Sequence, residues 1–207
     1  MITAVNWTSL RSERSACHTC PMSSLPDECF GTRLHLNRKT LDDVDDALEA
    51  VIQSFDELHV WMKWAASMPS RESIMALTLD DDGRFRSDER WAYWIREIDG
   101  GQLVGSATLD RRGVVEELEI GYWIRSDRTG RGYATEAASI LTGAAFTYVP
   151  TTATVKISMD RANTASAAVP RKLGFAPVEE YGREIVTPGH SGMGSAWVTS
   201  REQWLGR

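Results

Sequence analysis

One strand–loop–helix segment in the middle of the chain limits the possible folds more than any other part of the sequence. Residues 117–124 alternate between apolar and other side chains, which is the period of a strand with one buried face. Residues 133–149 carry apolar side chains at helical spacing, and Pro150 stops that helix. A loop with Gly130 and Gly132 joins the two elements, so the backbone can turn tightly there.

The other elements follow from the same two periodicities and from turn residues. We predict a strand at 31–39, a helix after Thr40, helical turns at 55–65 and 70–79, a polar stretch at 80–90, strands at 91–98 and 103–109 around Asp99-Gly100-Gly101, a strand at 153–159, a helix at 164–173, and a final strand pair around 177–181 and 195–198. This order predicts an α/β (α+β) fold, a mixed and mostly antiparallel twisted sheet with helices on both faces.

The chain length fits one domain with a sizeable core. A chain of 207 residues buries most of its apolar surface in a single unit. Residues 1–28 are rich in Ser, Arg and Thr without a sustained period, so we expect a flexible extension there and one domain at 29–207. His190 stands among glycines near Pro188, and we expect it in a flexible loop without a partner.

Charge and cysteine content narrow the classes of partner. The formal net charge of −6 gives no general attraction for nucleic acid or anionic membranes, and no apolar run is long enough to span a bilayer. Three cysteines are too few for a disulfide framework, so we expect a cytoplasmic protein. Cys17, His18 and Cys20 precede Cys29 and His35, but the second half of a zinc pattern is missing, and we expect no metal.

The loop from Arg125 to Ala134 is suited to hold an anion. Amides at the start of a helix carry partial positive charge, which favours a pyrophosphate, and Arg128 and Arg131 add full charges. A simple tight turn with solvated arginines is the alternative. A Walker A loop is excluded because no lysine is present, and a Rossmann fingerprint is excluded because Thr135 replaces its third glycine.

Several spaced motifs resemble the GNAT acetyltransferases, particularly their RimJ/RimL-type ribosomal-protein N-terminal acetyltransferase branch. Gly132 and Ala134 match the pattern (Gln/Arg)-x-x-Gly-x-(Gly/Ala), although Thr129 replaces its first residue. The similar segments are 119–124, 130–137, 163–166, 172–175, the helical region with Trp61 and Trp64, and the ending 199–204. The likeness covers roughly residues 30–205.

This resemblance implies acetyl-CoA (coenzyme A) as the acyl donor. It implies that the strand around 119–124 splays from the strand at 153–159 and that the pantetheine arm lies in the gap. Backbone amides near Tyr122 and Trp123 would polarise the thioester carbonyl. The residues expected at the cofactor are Tyr122, Trp123, Ile124, Arg128, Thr129, Gly130, Arg131, Gly132, Tyr133, Ala134, Thr135, Asn163, Ser166 and Arg171. Asn163 and Ser166 also fit as helix caps, and Arg171 or Lys172 as solvated cations.

Direct acetyl transfer from a thioester to an amine needs a base for the amine proton and a donor for the leaving thiolate. Glu119 shares a strand face with Trp123 and is our first choice for the base. Its alternatives are Glu117, and Asp56 or Glu57 from the predicted substrate-side helix. Ser166 is the expected donor to the thiolate, and Tyr181 is a further candidate acid.

The acceptor is expected to be a primary amine, either a protein N-terminus or a small molecule. Trp61, Trp64 and Glu57 are the expected substrate neighbours. Fold and cofactor do not select among acceptors, and we expect a monomer or homodimer. Transfer of another acyl group, such as succinyl, and a non-catalytic acyl-CoA-binding regulatory module are the alternative functions.

Overall fold

Eight strands form one sheet in the computed structural model, which describes residues 24–207. Their bounds are β1 Glu28–Phe30, β2 Leu34–Arg38, β3 Arg90–Glu97, β4 Leu103–Arg111, β5 Glu117–Ile124, β6 Thr154–Asp160, β7 Ala176–Gly182 and β8 Met193–Ser200. The order across the sheet is β1-β2-β3-β4-β5-β6-β8-β7. Neighbouring strands are antiparallel except for the parallel pair β5 and β6, which confirms the predicted mixed, mostly antiparallel sheet.

Six α-helices lie within the described residues. They are α1 Val44–Gln53, α2 Phe55–Trp61, α3 Arg71–Arg86, α4 Tyr133–Tyr148, α5 Thr164–Lys172 and α6 Arg201–Leu205. On one face of the sheet, α4 packs Ala138 and Leu141 against Leu118 and Ile120 of β5. On the other face, side chains of α1, α2 and α3 pack around Trp94 of β3. Helices on both faces are therefore confirmed.

The long helix α3 extends further than its apolar pattern predicts. We expected helical turns at 70–79 and a polar connection at 80–90, but the helix continues to Arg86. Ion pairs one helical turn apart support this acidic end, with Arg84 to Asp80 at 3.0 Å and Arg86 to Asp82 at 2.9 Å. A charged surface helix carries little apolar periodicity, which is why the sequence pattern missed it.

The first described residues belong to the packed domain. Leu25 is buried in the core, and the Tyr93 hydroxyl donates to the Pro26 carbonyl at 2.8 Å. The predicted flexible extension therefore differs from the structure at residues 24–28, because apolar contacts and β-pairing begin there. Residues 1–23, with Cys17, His18 and Cys20, lie outside the described residues.

Cys29 is a buried free thiol on β1. Burial raises its pKa to about 12, so it is a poor nucleophile. Within residues 24–207, no group of three or more His, Cys, Asp or Glu side chains is arranged to hold a metal ion. In the same range, no helix has both the length and the apolar character needed to cross a membrane.

Candidate active site

The sheet opens between β5 and β6. Their parallel pairing runs from Glu117 opposite Thr154 to Ile120 opposite Ile157 and stops there. Beyond that point, β5 continues against β4 to Ile124, and β6 continues against β8 to Asp160. A cavity of about 530 Å³ is lined by residues of both diverging strands. This is the gap in which the sequence analysis expects the pantetheine arm.

Many of the predicted site residues line this one cavity. The structure brings together the following members of the predicted set: Glu119, Tyr122, Trp123, Asn163, Ser166, Trp61, Trp64 and Tyr181. Trp64 is 41% exposed, and its ring lies 6.3 Å from that of Trp123, so the two indoles form an aromatic wall. Among the other predicted cofactor and substrate residues, Ile124 ends β5, and the rest lie on the glycine loop, in the first turn of α4, on α2 or on α5.

The glycine loop presents free backbone amides at the start of α4. Gly130 and Gly132 have φ values of 75° and 82°, conformations that strongly favour glycine. The helix begins at Tyr133 without a side-chain cap. Among residues 24–207, no protein acceptor pairs with the amides of residues 130–135. Free donors at the start of a helix suit an anion, as the sequence predicts, and we call residues 130–135 the amide cradle.

Arg128 was expected to offer a free positive charge beside this cradle, but in the structure it has protein partners. Arg128 donates to Asp127 at 2.8 Å and to Gln102 at 2.5 Å, so acidic and polar neighbours occupy its guanidinium. The Thr129 hydroxyl donates to the Ser126 carbonyl at 2.9 Å. The Tyr133 hydroxyl donates to Glu97 at 2.6 Å, which raises the pKa of Tyr133.

An arginine that the sequence analysis missed lies beside the cradle. Arg33 donates to the Arg131 carbonyl at 2.8 Å and pairs with Glu136 at 2.8 Å. Its guanidinium lies 3.5 Å from the position that a Cβ at Gly132 would take. Arg33 is separated from the loop by about a hundred residues of sequence, and no local pattern connects them.

The loop is also tied to the junction of α1 and α2. The Ser126 amide donates to the Ser54 hydroxyl at 3.1 Å, and the Ser126 hydroxyl donates to Glu57 at 2.6 Å. Glu57, predicted as a substrate neighbour, is therefore bound to the loop and is not among the residues lining the cavity. Arg171 of α5 is likewise away from the cavity lining, with its guanidinium 5.8 Å from the centre of the Trp197 ring.

Glu119 points from β5 into the cavity. Its side chain is 22% exposed, and its carboxylate lies 3.5 Å from the Arg112 guanidinium. Glu117, two residues earlier, pairs with Lys156 at 3.7 Å and is not among the cavity residues. Asp56 is exposed on α2. Of the carboxylates considered as the base, Glu119 is therefore the one that lines the cavity.

A hydroxyl pair lies on the other side of the opening. The hydroxyls of Tyr122 and Ser166 are 3.1 Å apart, and the Tyr122 hydroxyl is also 3.1 Å from the Ser166 carbonyl. Burial raises the pKa of Tyr122 to about 12, while its hydrogen bond with Ser166 opposes part of the shift. Asn163 caps α5 by accepting from the Ser166 amide at 3.0 Å. Asn163 therefore caps α5, and both Asn163 and Ser166 line the cavity.

A family model decides what kind of enzyme this arrangement represents. The model described as an acetyltransferase (GNAT) domain matches residues 33–176. The chain belongs to the GNAT acetyltransferase family. The matched range contains the glycine loop, Glu119 and Ser166, so the resemblance inferred from the motifs is confirmed. A search of curated proteins found no match.

Solved acetyltransferase structures share the fold of this GNAT chain. The microcin C7 self-immunity acetyltransferase MccE, in complex with acetyl-CoA and AMP, has a TM-score of 0.75 at 15% identity, covering 82% of this chain and 93% of that one. RimL, the ribosomal L7/L12 alpha-N-protein acetyltransferase, in complex with coenzyme A, has a TM-score of 0.76 at 16% identity, covering 85% of this chain and 97% of that one. Mycobacterium smegmatis RimJ, in complex with CoA-disulfide, has a TM-score of 0.76 at 22% identity, covering 86% of this chain and 88% of that one.

The floor of the cavity in this acetyltransferase contains a buried charge network that the sequence analysis missed. Lys39 pairs with Asp81 at 2.7 Å, and Arg90 lies 3.3 Å from Asp81 and 3.4 Å from Asp110. Burial lowers the pKa of Lys39, and Asp81 opposes that shift. Thr108 donates to Asp110 at 2.8 Å. These residues come from the end of β2, where Lys39 follows the strand, and from α3, β3 and β4, so only the tertiary structure assembles them.

His190 also lines the cavity, which corrects the expectation of a flexible loop residue without a partner. The loop after β7 docks on α2, because the Gly189 amide donates to the Val60 carbonyl at 2.9 Å and a side chain at Gly189 would collide with Val60. His190 is buried, and its Nδ1 accepts from the Val186 amide at 3.4 Å. Next to it, Ser191 binds Asp160 of β6 through its amide and its hydroxyl.

Proposed function

We propose that this acetyltransferase uses acetyl-CoA to acetylate a primary amine, on a protein N-terminus or a small molecule, by direct attack within a ternary complex. The observation that carries the proposal is the continuity of two features. The first feature is the opening of the sheet, where β5 diverges from β6 after Ile120. The second is the set of free amides at residues 130–135, which follow β5 directly at the start of α4. One feature suits a pyrophosphate and the other suits an extended arm.

The donor is expected to bind along this unit. Amides of residues 130–135 hold the pyrophosphate, with Arg33 adding positive charge beside Gly132. Past Ile120, β5 has no partner strand on the β6 side, so its edge is available to the pantetheine arm as an additional strand. The RimL and RimJ structures with coenzyme A and the MccE structure with acetyl-CoA have the same fold, which supports this placement.

The acceptor is expected to enter from the side of the two indoles, Trp64 and Trp123. Glu119 accepts the proton that the amine must lose, directly or through water, because its carboxylate faces the cavity. The amine nitrogen then forms a bond to the thioester carbonyl carbon, and backbone amides of β5 stabilise the charge that develops on the oxygen. No covalent intermediate with the enzyme is needed.

The carbon–sulfur bond breaks as the new amide forms, and the departing thiolate takes a proton. We take the Ser166 hydroxyl as the donor, and the Tyr122 hydroxyl lies 3.1 Å from it. Because its pKa is about 12, Tyr122 keeps its proton at neutral pH and can donate to Ser166 in turn. Products are the acetylated amine and free coenzyme A.

Two measurements test the proposal on the purified chain. Calorimetry measures acetyl-CoA binding, and a thiol-release assay follows turnover with peptides, polyamines, aminoglycosides and amino acids as acceptors. We expect binding together with acceptor-dependent thiol release. Folded protein that ignores acetyl-CoA would overturn the donor site. Binding without release for any amine would instead indicate a non-catalytic acyl-CoA-binding module, and faster turnover with succinyl-CoA would indicate another acyl donor.

A further inference from the structure

The lysine and arginine side chains of the cavity are internally paired with one exception. Among the described residues that line it, Lys39, Arg90 and Arg112 each have a carboxylate partner within 4.0 Å. Arg183, which follows β7, lines the same cavity and has no carboxylate within that distance and no side-chain hydrogen bond in residues 24–207. Taking a cation partly out of water without a partner is costly, so such a group is commonly completed by a ligand.

Two further donors line the same cavity as Arg183. Tyr181 is two residues earlier, its ring packs over Gly194, and its hydroxyl has no hydrogen-bond partner in the described part of the chain. His190 accepts the Val186 amide at Nδ1, so the proton of the neutral ring is on Nε2, which has no protein acceptor within residues 24–207. A guanidinium, a phenol and an imidazole N–H therefore line the same cavity without a protein partner in the described part of the chain.

The segment that carries these donors is held in place. The Gly189 amide bonds to Val60 of α2, and Ser191 bonds to Asp160 of β6. The loop therefore spans from the acceptor side of the cavity to the strand that borders the opening. Donors on an anchored segment are pre-organised, which favours binding because little conformational freedom is lost when a ligand arrives.

We propose that Arg183, Tyr181 and His190 form an anion-binding subsite for the acceptor, so that the preferred acceptor is an amine that also carries a carboxylate or a phosphate. The inference rests on the proposed function and adds the chemical class of its acceptor. The amine end meets Glu119, and the anionic end meets the three donors. Arginine is well suited to this role because its planar fork binds carboxylate and phosphate oxygens in pairs.

Matched acceptor pairs test this subsite. L-Phenylalanine is compared with L-phenylalaninamide, and 2-aminoethyl phosphate with ethanolamine, by calorimetry in the presence of coenzyme A and by kcat/KM with acetyl-CoA. We expect the anionic member of at least one pair to be favoured by about tenfold or more, in keeping with a charge-assisted hydrogen bond. The pair that shows the preference distinguishes a carboxylate from a phosphate.

Three variants assign the preference to Arg183. Arg183→Gln should bring the anionic-to-neutral ratio close to one, and Arg183→Lys should keep part of it. Arg161→Gln removes an exposed cation that pairs with Glu180 at 3.3 Å outside the cavity lining, and it should leave the ratio unchanged. Coenzyme A affinity should be the same in all three variants.

Other outcomes contradict the subsite or the proposed function, and the two can be told apart. Equal binding of anionic and neutral members, or a preference that survives in Arg183→Gln, contradicts it. A loss of coenzyme A affinity in Arg183→Gln would place the arginine at the donor. If no amine is acetylated, the proposed function fails. The ratio of anionic to neutral acceptor binding, measured by calorimetry, still tests the subsite in that case. If acetyl transfer occurs without an anionic preference, only the subsite fails.

Discussion

The amide of Ser126 donates to the hydroxyl of Ser54 across 72 residues of sequence, at 3.1 Å. Ser54 is fully buried between α1 and α2, and Ser126 begins the turn that leads into the glycine loop. The helices on the acceptor side and the loop proposed to hold the donor are therefore joined by a partly buried hydrogen bond. We therefore expect that a shift of the helices changes the position of the loop, and the reverse.

Replacing Ser54 by alanine tests this connection. The substitution leaves the Ser126 amide without its acceptor, which should lower the free energy of unfolding by about 1–3 kcal/mol. We also expect a raised KM for acetyl-CoA, because the loop loses an anchor. Urea unfolding and initial-rate kinetics measure the two effects. Ser87→Ala, at the exposed end of α3, is the control and should change stability by less than about 0.5 kcal/mol. Equal behaviour of the two variants would contradict the coupling.

The amide cradle is tested by a matched pair of glycines. Gly132 and Gly113 have φ values of 82° and 91°, so an alanine should cost either position about 1–2 kcal/mol of stability. Gly113 lies in the β4–β5 connection, where an added Cβ would meet open space, whereas Gly132 is within the cradle. Only Gly132→Ala should weaken acetyl-CoA binding, by about tenfold or more. Unchanged affinity in a folded Gly132→Ala protein would exclude the cradle.

Glu119→Gln tests the base. Glutamine keeps the size of the side chain but cannot take the proton, so we expect kcat to fall by about a hundredfold or more with little change in acetyl-CoA affinity. The neighbouring variant Glu117→Gln should be close to wild type, because that carboxylate faces Lys156 outside the cavity lining. Steady-state kinetics and calorimetry separate the two effects. A slow Glu117→Gln enzyme beside a normal Glu119→Gln enzyme would reverse the assignment.

The hydroxyl pair is tested by Ser166→Ala, Tyr122→Phe and the double variant. Each single change should reduce kcat by about tenfold, and the double variant should lose less than the product because the hydroxyls act together. The raised pKa of Tyr122 keeps its hydroxyl protonated, so between about pH 6 and 10 the pH profile of Tyr122→Phe should have the wild-type shape. Strictly multiplicative losses would show that the two hydroxyls act independently.

Lys39→Met tests the buried network beneath the cavity. The change leaves Asp81 with only Arg90 as a cationic partner, at 3.3 Å. Breaking a buried pair on one side is strongly destabilising, and we expect the free energy of unfolding to fall by about 3 kcal/mol. Lys172→Met, on the exposed end of α5, should have little effect. Chemical denaturation measures both, and a neutral Lys39→Met would mean that the pair contributes no net stability.

The elements around the opening were predicted well because their signals are local. The alternation of β5, the two glycines and the apolar stripe of α4 lie within about thirty consecutive residues, and each follows from backbone geometry. The turn at Gly100 and Gly101 was predicted for the same reason, and both residues have positive φ. The charged end of α3 was missed because ion pairs, and not apolar spacing, support it.

The sequence by itself determined the strand–loop–helix unit, the alternation that points Glu119 and Trp123 to one face, and the family to which the chain belongs. Only the tertiary structure decided that Arg128 donates to Gln102, that Glu57 binds the loop, and that His190 lines the cavity. Periodicity and turn chemistry act over a few residues, whereas these contacts join segments far apart in the chain. Their formation depends on how the layers pack, which no local pattern encodes.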